Sequence, residues 1–171
     1  GNLPAESGAN LTGINTNNAP YMSAYVNTNT AITSNTFITM SSSNCNLVEE
    51  FDSDNCFDAS TGRFTPNVAG WYYYSVRTHV DCGGGQFQGG YVYIEKNGGM
   101  IHQTEHQEQT AGANEHSFIA TAVVQINGTT DYLSANISMN DSSGDPTMLG
   151  GASVSNIVGR MNTINAWRLA V

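Results

Sequence analysis

The sequence predicts an all-β protein, an antiparallel sandwich for which a jelly roll is the natural candidate. Three observations carry that expectation. Only 11% of the residues are charged, and Asn, Thr, Ser and Gly fill the gap, a mixture that favours strands and turns over long helices. Short β-branched and aromatic runs recur along the chain with turn signals between them. No helical periodicity holds over a useful length, and strands do not alternate with helices, which argues against a parallel sheet.

Taken in order, residues 1–18 are polar and rich in Gly and Asn and read as a linker or frayed start; residues 19–171 read as one head domain. Residues 19–27 set Tyr21, Ser23 and Tyr25 against Met22, Ala24 and Val26, the period of a strand. Short strands are expected at 36–40 and 63–66 and a long aromatic one at 70–80. Residues 89–107 carry Asn97–Gly98 between two apolar runs, a strong hairpin signal. A further turn at Asn127–Gly128 divides 116–139, and 162–171 closes the chain.

Two strands carry more information through their faces. In the segment after Gly128, Leu133, Ala135, Ile137 and Met139 share one side, and Tyr132, Ser134, Asn136 and Ser138 share the other, which predicts one buried face and one wet one. In the segment before it, Phe118, Ala120, Ala122, Val124 and Ile126 form one face, while Ile119, Thr121 and Val123 form the other. Both are largely apolar, so the second should meet another surface. A loop of the same chain would serve; a subunit interface is the sharper reading.

The run from Phe57 to Tyr74, FDASTGRFTPNVAGWYYY, carries a resemblance. Phe57 is followed by six residues and Phe64, then by five residues and Gly70, with Tyr72 and Tyr74 behind it. This resembles the aromatic signature of the globular head of complement C1q and its tumour necrosis factor-like relatives. The opening APYMSAYV, the hairpin GGYVYIEKNGGMI, the strand TDYLSANI and the closing INAWRLAV are similar to that family's segments in the same order, over residues 19–171. Asn46 stands where the family motif begins with Phe, and Val76 where its last aromatic would fall. The resemblance implies a ten-stranded jelly roll assembling as a compact homotrimer, a binding module at the tip of a stalk or fibre rather than an enzyme. It implies that Phe57, Phe64, Tyr72 and Tyr74 are core. Alternation then sends Trp71 and Tyr73 to the opposite face, where they join Ile119 and Val123 as candidate trimer-interface residues.

Charge excludes some partners. The chain has five Lys plus Arg and a formal net charge of −9, so a phosphate backbone would be repelled, and nucleic acid and anionic membrane surfaces are not expected partners. No apolar run approaches a membrane span, so no insertion is expected. No signal peptide is visible, and a start at Gly1 rather than Met reads as a chain excised from a longer one or tagged.

Cys45 and Cys56 flank CNLVEEFDSDNC, read as an acidic loop, with a separation that suits a loop-closing disulfide and hence an oxidising compartment; two reduced thiols are the alternative. Cys82 has no evident partner and reads as a free thiol or an intermolecular bridge. Asp52 and Asp54 in that loop, and Asp141 and Asp145 in NDSSGD, are candidate Ca2+ ligands, since calcium takes six to eight oxygens from flexible carboxylates and carbonyls; solvated turns are the plainer reading, and no cofactor is required. His102 and His106 fall on one strand face about 13 Å apart, too far to share an ion within one chain. The four Asn-x-Ser/Thr sequons, at Asn10, Asn127, Asn136 and Asn140, are what chance supplies in so Asn- and Thr-rich a chain. No hydrolase, zinc-protease or phosphate-loop motif occurs, so no catalytic residue is expected.

The reading that follows is a non-enzymatic trimeric recognition head at the tip of a fibre, extracellular or on a virion surface. A viral or phage structural or receptor-binding protein contacting a host-surface glycan or protein fits best. A secreted C1q-like lectin or adhesion module, or a purely structural trimerisation cap, are the alternatives.

Overall fold

A computed structural model describes residues 19–108, 113–151 and 160–169, so the reading of 1–18 as a linker lies outside the described residues. In chain order the elements are β1 (Tyr21–Val26), β2 (Thr30–Ala31), β3 (Ile38–Thr39), the single-turn α1 (Ser42–Cys45), β4 (Leu47–Asp52), β5 (Phe57–Asp58), β6 (Arg63–Phe64), β7 (Gly70–Asp81), β8 (Phe87–Lys96), β9 (Gly99–Gln107), β10 (Glu115–Ile126), β11 (Leu133–Asp141), β12 (Thr147–Met148) and β13 (Thr163–Arg168). Ten of these strands build two five-stranded layers, ordered β4-β1-β13-β7-β10 and β5-β6-β11-β8-β9. The two-residue β12 also pairs β7 and carries β2 on its other side, β3 pairs β11 in the second layer, and every pairing among the described residues is antiparallel. The chain changes sheet repeatedly, which is what makes the sandwich a jelly roll.

Strict alternation builds the core. Tyr72, Tyr74, Val76 and Val80 of β7 face inward and are buried, as do Met22, Ala24 and Val26 of β1 and Phe118, Ala120, Val124 and Ile126 of β10. Val92 and Ile94 of β8 and Leu133, Ala135, Ile137 and Met139 of β11 meet them from the other layer. Phe64 and Tyr72 pack edge to face with centroids 5.9 Å apart, and burying a ring such as Phe64 contributes about 2–3 kcal/mol. The Tyr72 hydroxyl donates to Val68 O at 2.7 Å, and burial pushes its pKa up to about 12. The four aromatics of the resemblance, Phe57, Phe64, Tyr72 and Tyr74, are all core.

Two details depart from the sequence reading. CNLVEEFDSDNC is not simply a loop: Leu47–Asp52 is an edge strand paired with β1, because Leu47 reaches the core while Glu49 and Glu50 stay in solvent. The face of β11 expected to be wet is closed: Ser134, Asn136 and Ser138 are buried. These small side chains sit on a central strand beside larger neighbours in register, Glu95, Tyr93 and Tyr91 of β8. Asn136 Oδ1 accepts the Thr39 hydroxyl at 2.6 Å, so the face remains polar in chemistry though not in exposure. The turn at Asn127–Gly128 is present as expected, and it carries the chain from β10 in one sheet to β11 in the other. The Asn127 side-chain oxygen accepts from the amides of Thr129, Thr130 and Asp131, each at 3.0 Å, and Gly128 sits at φ 74 against the backbone of Val68 and Ala69, where a Cβ would not fit.

The hairpin at Asn97–Gly98 is as expected. Both residues have positive φ, 53 and 78, as a two-residue primed turn requires. Asp131 ties this turn to the crossover. Its carboxylate accepts from Lys96 Nζ at 2.9 Å, Asn97 Nδ2 at 2.8 Å and Asn127 N at 3.0 Å. The Lys96 and Asn97 bonds hold its pKa below the ordinary carboxylate value. A group with a depressed folded-state pKa contributes stability above its unfolded pKa and loses it as pH falls through the folded one. Asp131→Asn is therefore expected to lower the melting temperature by a few degrees at pH 7, with the gap to wild type closing as pH falls below about 4. Thermal melts by circular dichroism across pH 2–8 read this directly; a gap that stays constant with pH would refute the charge-based account.

Candidate functional site

The outward face of the β4-β1-β13-β7-β10 sheet carries a run of exposed apolar side chains. Where inward residues of β7 are Tyr72 and Tyr74, the intervening Trp71 and Tyr73 must point out, and they do. Register then aligns them with their neighbours. Tyr73 lies opposite Val123 of β10 on one side and Trp167 of β13 on the other, and Trp167 lies opposite Tyr21 of β1. Phe51 of β4 stacks edge-on against Tyr21 with centroids 5.6 Å apart, and Tyr73 lies 4.4 Å from Trp167. The result is an apolar row, Phe51–Tyr21–Trp167–Tyr73–Val123, across all five strands, with Trp71 beside it.

Tyr73 is half-buried between its neighbours, and the others stand exposed. Trp71 and Trp167 are 43% and 41% exposed, Val123 56% and Ile119 58%. Trp71, Tyr73, Ile119 and Val123 thus face outward on one sheet, as alternation required. The sequence reading missed Tyr21, Phe51 and Trp167. Their signal was available: in INAWRLAV, Ile164 and Ala166 are buried and Trp167 alternates outward, but only strand register shows it aligned with Tyr73. Near this row Arg160 binds Glu50 and lies over the Tyr25 ring at 4.2 Å.

Of the four candidate calcium aspartates, Asp52 ends β4, Asp141 ends β11, and Asp54 and Asp145 lie in the segments just beyond them; the carboxylates of Asp52, Asp141 and Asp145 already accept from backbone amides. Asp52 accepts from Asp54 N at 3.3 Å and Phe57 N at 2.6 Å; Asp141 accepts from Gln86 N at 3.1 Å and Ser143 N at 3.2 Å; Asp145 accepts from Ser34 N at 2.9 Å. An ion at either place would compete with these bonds. Among the described residues, one group of three His, Cys, Asp or Glu side chains brings its ligand atoms together, and it is His106, Glu108 and His116. His102 stays exposed further along β9.

The cysteines correct an expectation. Cys45, Cys56 and Cys82 are free and buried, with no Cys45–Cys56 bridge. The reason is local: Cys45 sits at the end of α1 with its thiol turned back onto Ser41 O at 3.3 Å, while the Cys56 thiol faces Asp54 O at 3.6 Å. The inference of an oxidising compartment loses that support. On the outer face of the second sheet, Asn35, Gln88, Tyr91, Gln107, Ser138 and Asn140 line an open polar groove of about 260 Å³. No helix is long and apolar enough to cross a membrane among the described residues.

The strand order and the position of the buried aromatics define a jelly roll of the C1q and tumour necrosis factor type. Similar solved structures include the globular domain of zebrafish complement 1qA, at TM-score 0.57 and 13% identity, covering 89% of this chain and 98% of that one. Murine APRIL matches at TM-score 0.54 and 6% identity over 88% and 98%, and Eiger TNF from S. frugiperda at 0.53 and 10% over 89% and 94%. No family model and no curated protein matches the sequence. The likeness is one of fold.

Burial pushes the Cys45 and Cys82 thiols up to a pKa of about 11, so they are poor nucleophiles at neutral pH. Without reductant, a thiol-reactive chromophore is expected to titrate three thiols per chain in denaturant and to react slowly with the native protein. Recovery of a single thiol in denaturant would restore the disulfide.

Proposed function

We propose that this protein is a non-enzymatic recognition head that self-associates as a homotrimer through the outward face of the β4-β1-β13-β7-β10 sheet. The observation that carries the reading is the apolar row from Phe51 to Val123. Aromatic residues and Arg are enriched at interface cores and Lys, Glu and Asp depleted, and this row contains rings and Val but no acid. The C1q/TNF-like fold is often a trimeric receptor-binding or recognition module, which supports the same assignment.

Recognition then falls to what a trimer leaves open. The polar groove on the other sheet offers amides from Asn35, Gln88, Gln107 and Asn140 beside the Tyr91 ring, chemistry suited to the hydroxyls and C–H faces of a sugar. With a net charge of −9 and few Lys, the surface favours a neutral or basic host-surface glycan or protein over an acidic one. We place the head outside the cell, at the tip of a viral or phage fibre. The secreted complement-like module is the second reading, favoured by the likeness to complement 1qA, and the gene's remaining sequence separates them: a fibre shaft or a collagen repeat.

Sedimentation velocity at micromolar concentration is expected to give a trimer, and Trp167→Asp with Tyr73→Asp a folded monomer by circular dichroism. A monomeric wild-type protein would sink the assembly. Loss of cell-surface binding in a Gln88→Ala/Gln107→Ala variant that remains trimeric would support the groove; unchanged binding would refute it.

A further inference from the structure

We infer that His106, Glu108 and His116 form a binding site for a divalent transition-metal ion of the zinc class. The site lies where the two sheets meet at one edge of the sandwich. β9 is the terminal strand of one sheet and β10 of the other, and the Thr104 hydroxyl already bonds Ile119 O across them at 2.8 Å. His106 of β9 and His116 of β10 meet in this seam, their rings stacked with centroids 4.4 Å apart. Phe87 backs His116 with its ring parallel at 4.5 Å, which holds the imidazole in place. Glu108, just beyond β9, brings Oε1 to 2.7 Å from His106 Nε2.

One donor atom from each of the three residues lies within 4.8 Å of the others. Donors around a tetrahedral zinc at about 2.0 Å stand about 3.3 Å apart, so a small rotation of the part-exposed His106 and Glu108 side chains brings the set to ligating distance. The proton shared between His106 and Glu108 is what the metal replaces. Two imidazoles and one carboxylate suit Zn2+ and its neighbours, and offer too few oxygens for Ca2+. Three protein ligands leave a coordination position for water or an outside group. The spacing His106-x-Glu108 with His116 eight residues on is no recognised motif; the strands make the site by facing each other across two sheets. Binding would clip β9 to β10 beside the start of β10, where, among the described residues, no ladder hydrogen bonds join the two sheets.

The test uses untagged, EDTA-treated protein titrated with Co2+ and then Zn2+. Wild type and the control His102→Asn are expected to bind one Co2+ per chain with visible d–d absorption, to release it to Zn2+, and to melt higher with Zn2+ but not with Ca2+. His116→Asn and Glu108→Gln, checked for folding by circular dichroism, are expected to weaken Co2+ binding by at least about tenfold. Imidazole nitrogen shifts by NMR should move at His106 and His116 on adding Zn2+ and not at His102. Absence of d–d absorption in the wild type, or equal Co2+ affinity in His116→Asn, would overturn the assignment.

Discussion

The constraint on which the molecule depends is the two-sided alternation of β7. This strand pairs with β10 over its whole length, Gly70 to Asp81, and with β13 and β12 on its other side. Its inward residues supply the largest buried rings, Tyr72 and Tyr74, and its outward residues supply Trp71 and Tyr73. A one-residue slip would exchange the two sets, exposing the core rings and burying Ser75, Arg77 and His79. The core and the outer row are therefore not independent features. The register that packs Tyr72 against Phe64 is the register that aligns Tyr73 with Trp167 and Val123.

Much of this was legible in the sequence because alternation is a local signal. The buried sets on β1, β7, β10 and β11 follow from period two, and Asn97–Gly98 marks its own turn. What was not legible depends on neighbours distant in sequence. The burial of Ser134, Asn136 and Ser138 comes from strands on both flanks of β11, so a polar strand face reads as wet until its partners are known. Trp167 and Tyr21 look like isolated aromatics until register sets them beside Tyr73. His106 and His116 belong to different sheets, and a reading along one strand measures His106 against His102, the wrong partner. The free cysteines escaped for the opposite reason: a flanking pair suggested a loop closure, while the strand pairing of Leu47–Asp52 already holds that segment.

The edges of the two sheets are handled differently. β4 carries Glu49 and Glu50 in solvent, and acidic side chains on an edge discourage pairing with a second sheet. β9 and β10 instead turn their edges toward each other and close the seam with a threonine hydroxyl, stacked imidazoles and the Phe87 ring. That seam holds polar, titratable and aromatic groups where an ordinary sandwich edge would carry lysines, which is why the strongest case for a bound ion lies there.

Association of a chain with net charge −9 gathers like charge, so a self-interface must keep carboxylates out of contact. The outer row satisfies this by composition. Glu50, near it, is neutralised by Arg160, and Glu115 lies at the far end of β10 beside His79, 3.3 Å away. The carboxylates of Asp52, Asp141 and Asp145 are spent on backbone amides, some in their own segment and others, Gln86 N and Ser34 N, in neighbouring ones. A glycan platform would use rings that stand apart with amides between them. Here the rings contact one another from strand to strand, and the amides lie in the groove of the opposite sheet. On the proposed reading, assembly would use one sheet and a ligand the other, so that neither surface would have to compromise for the other.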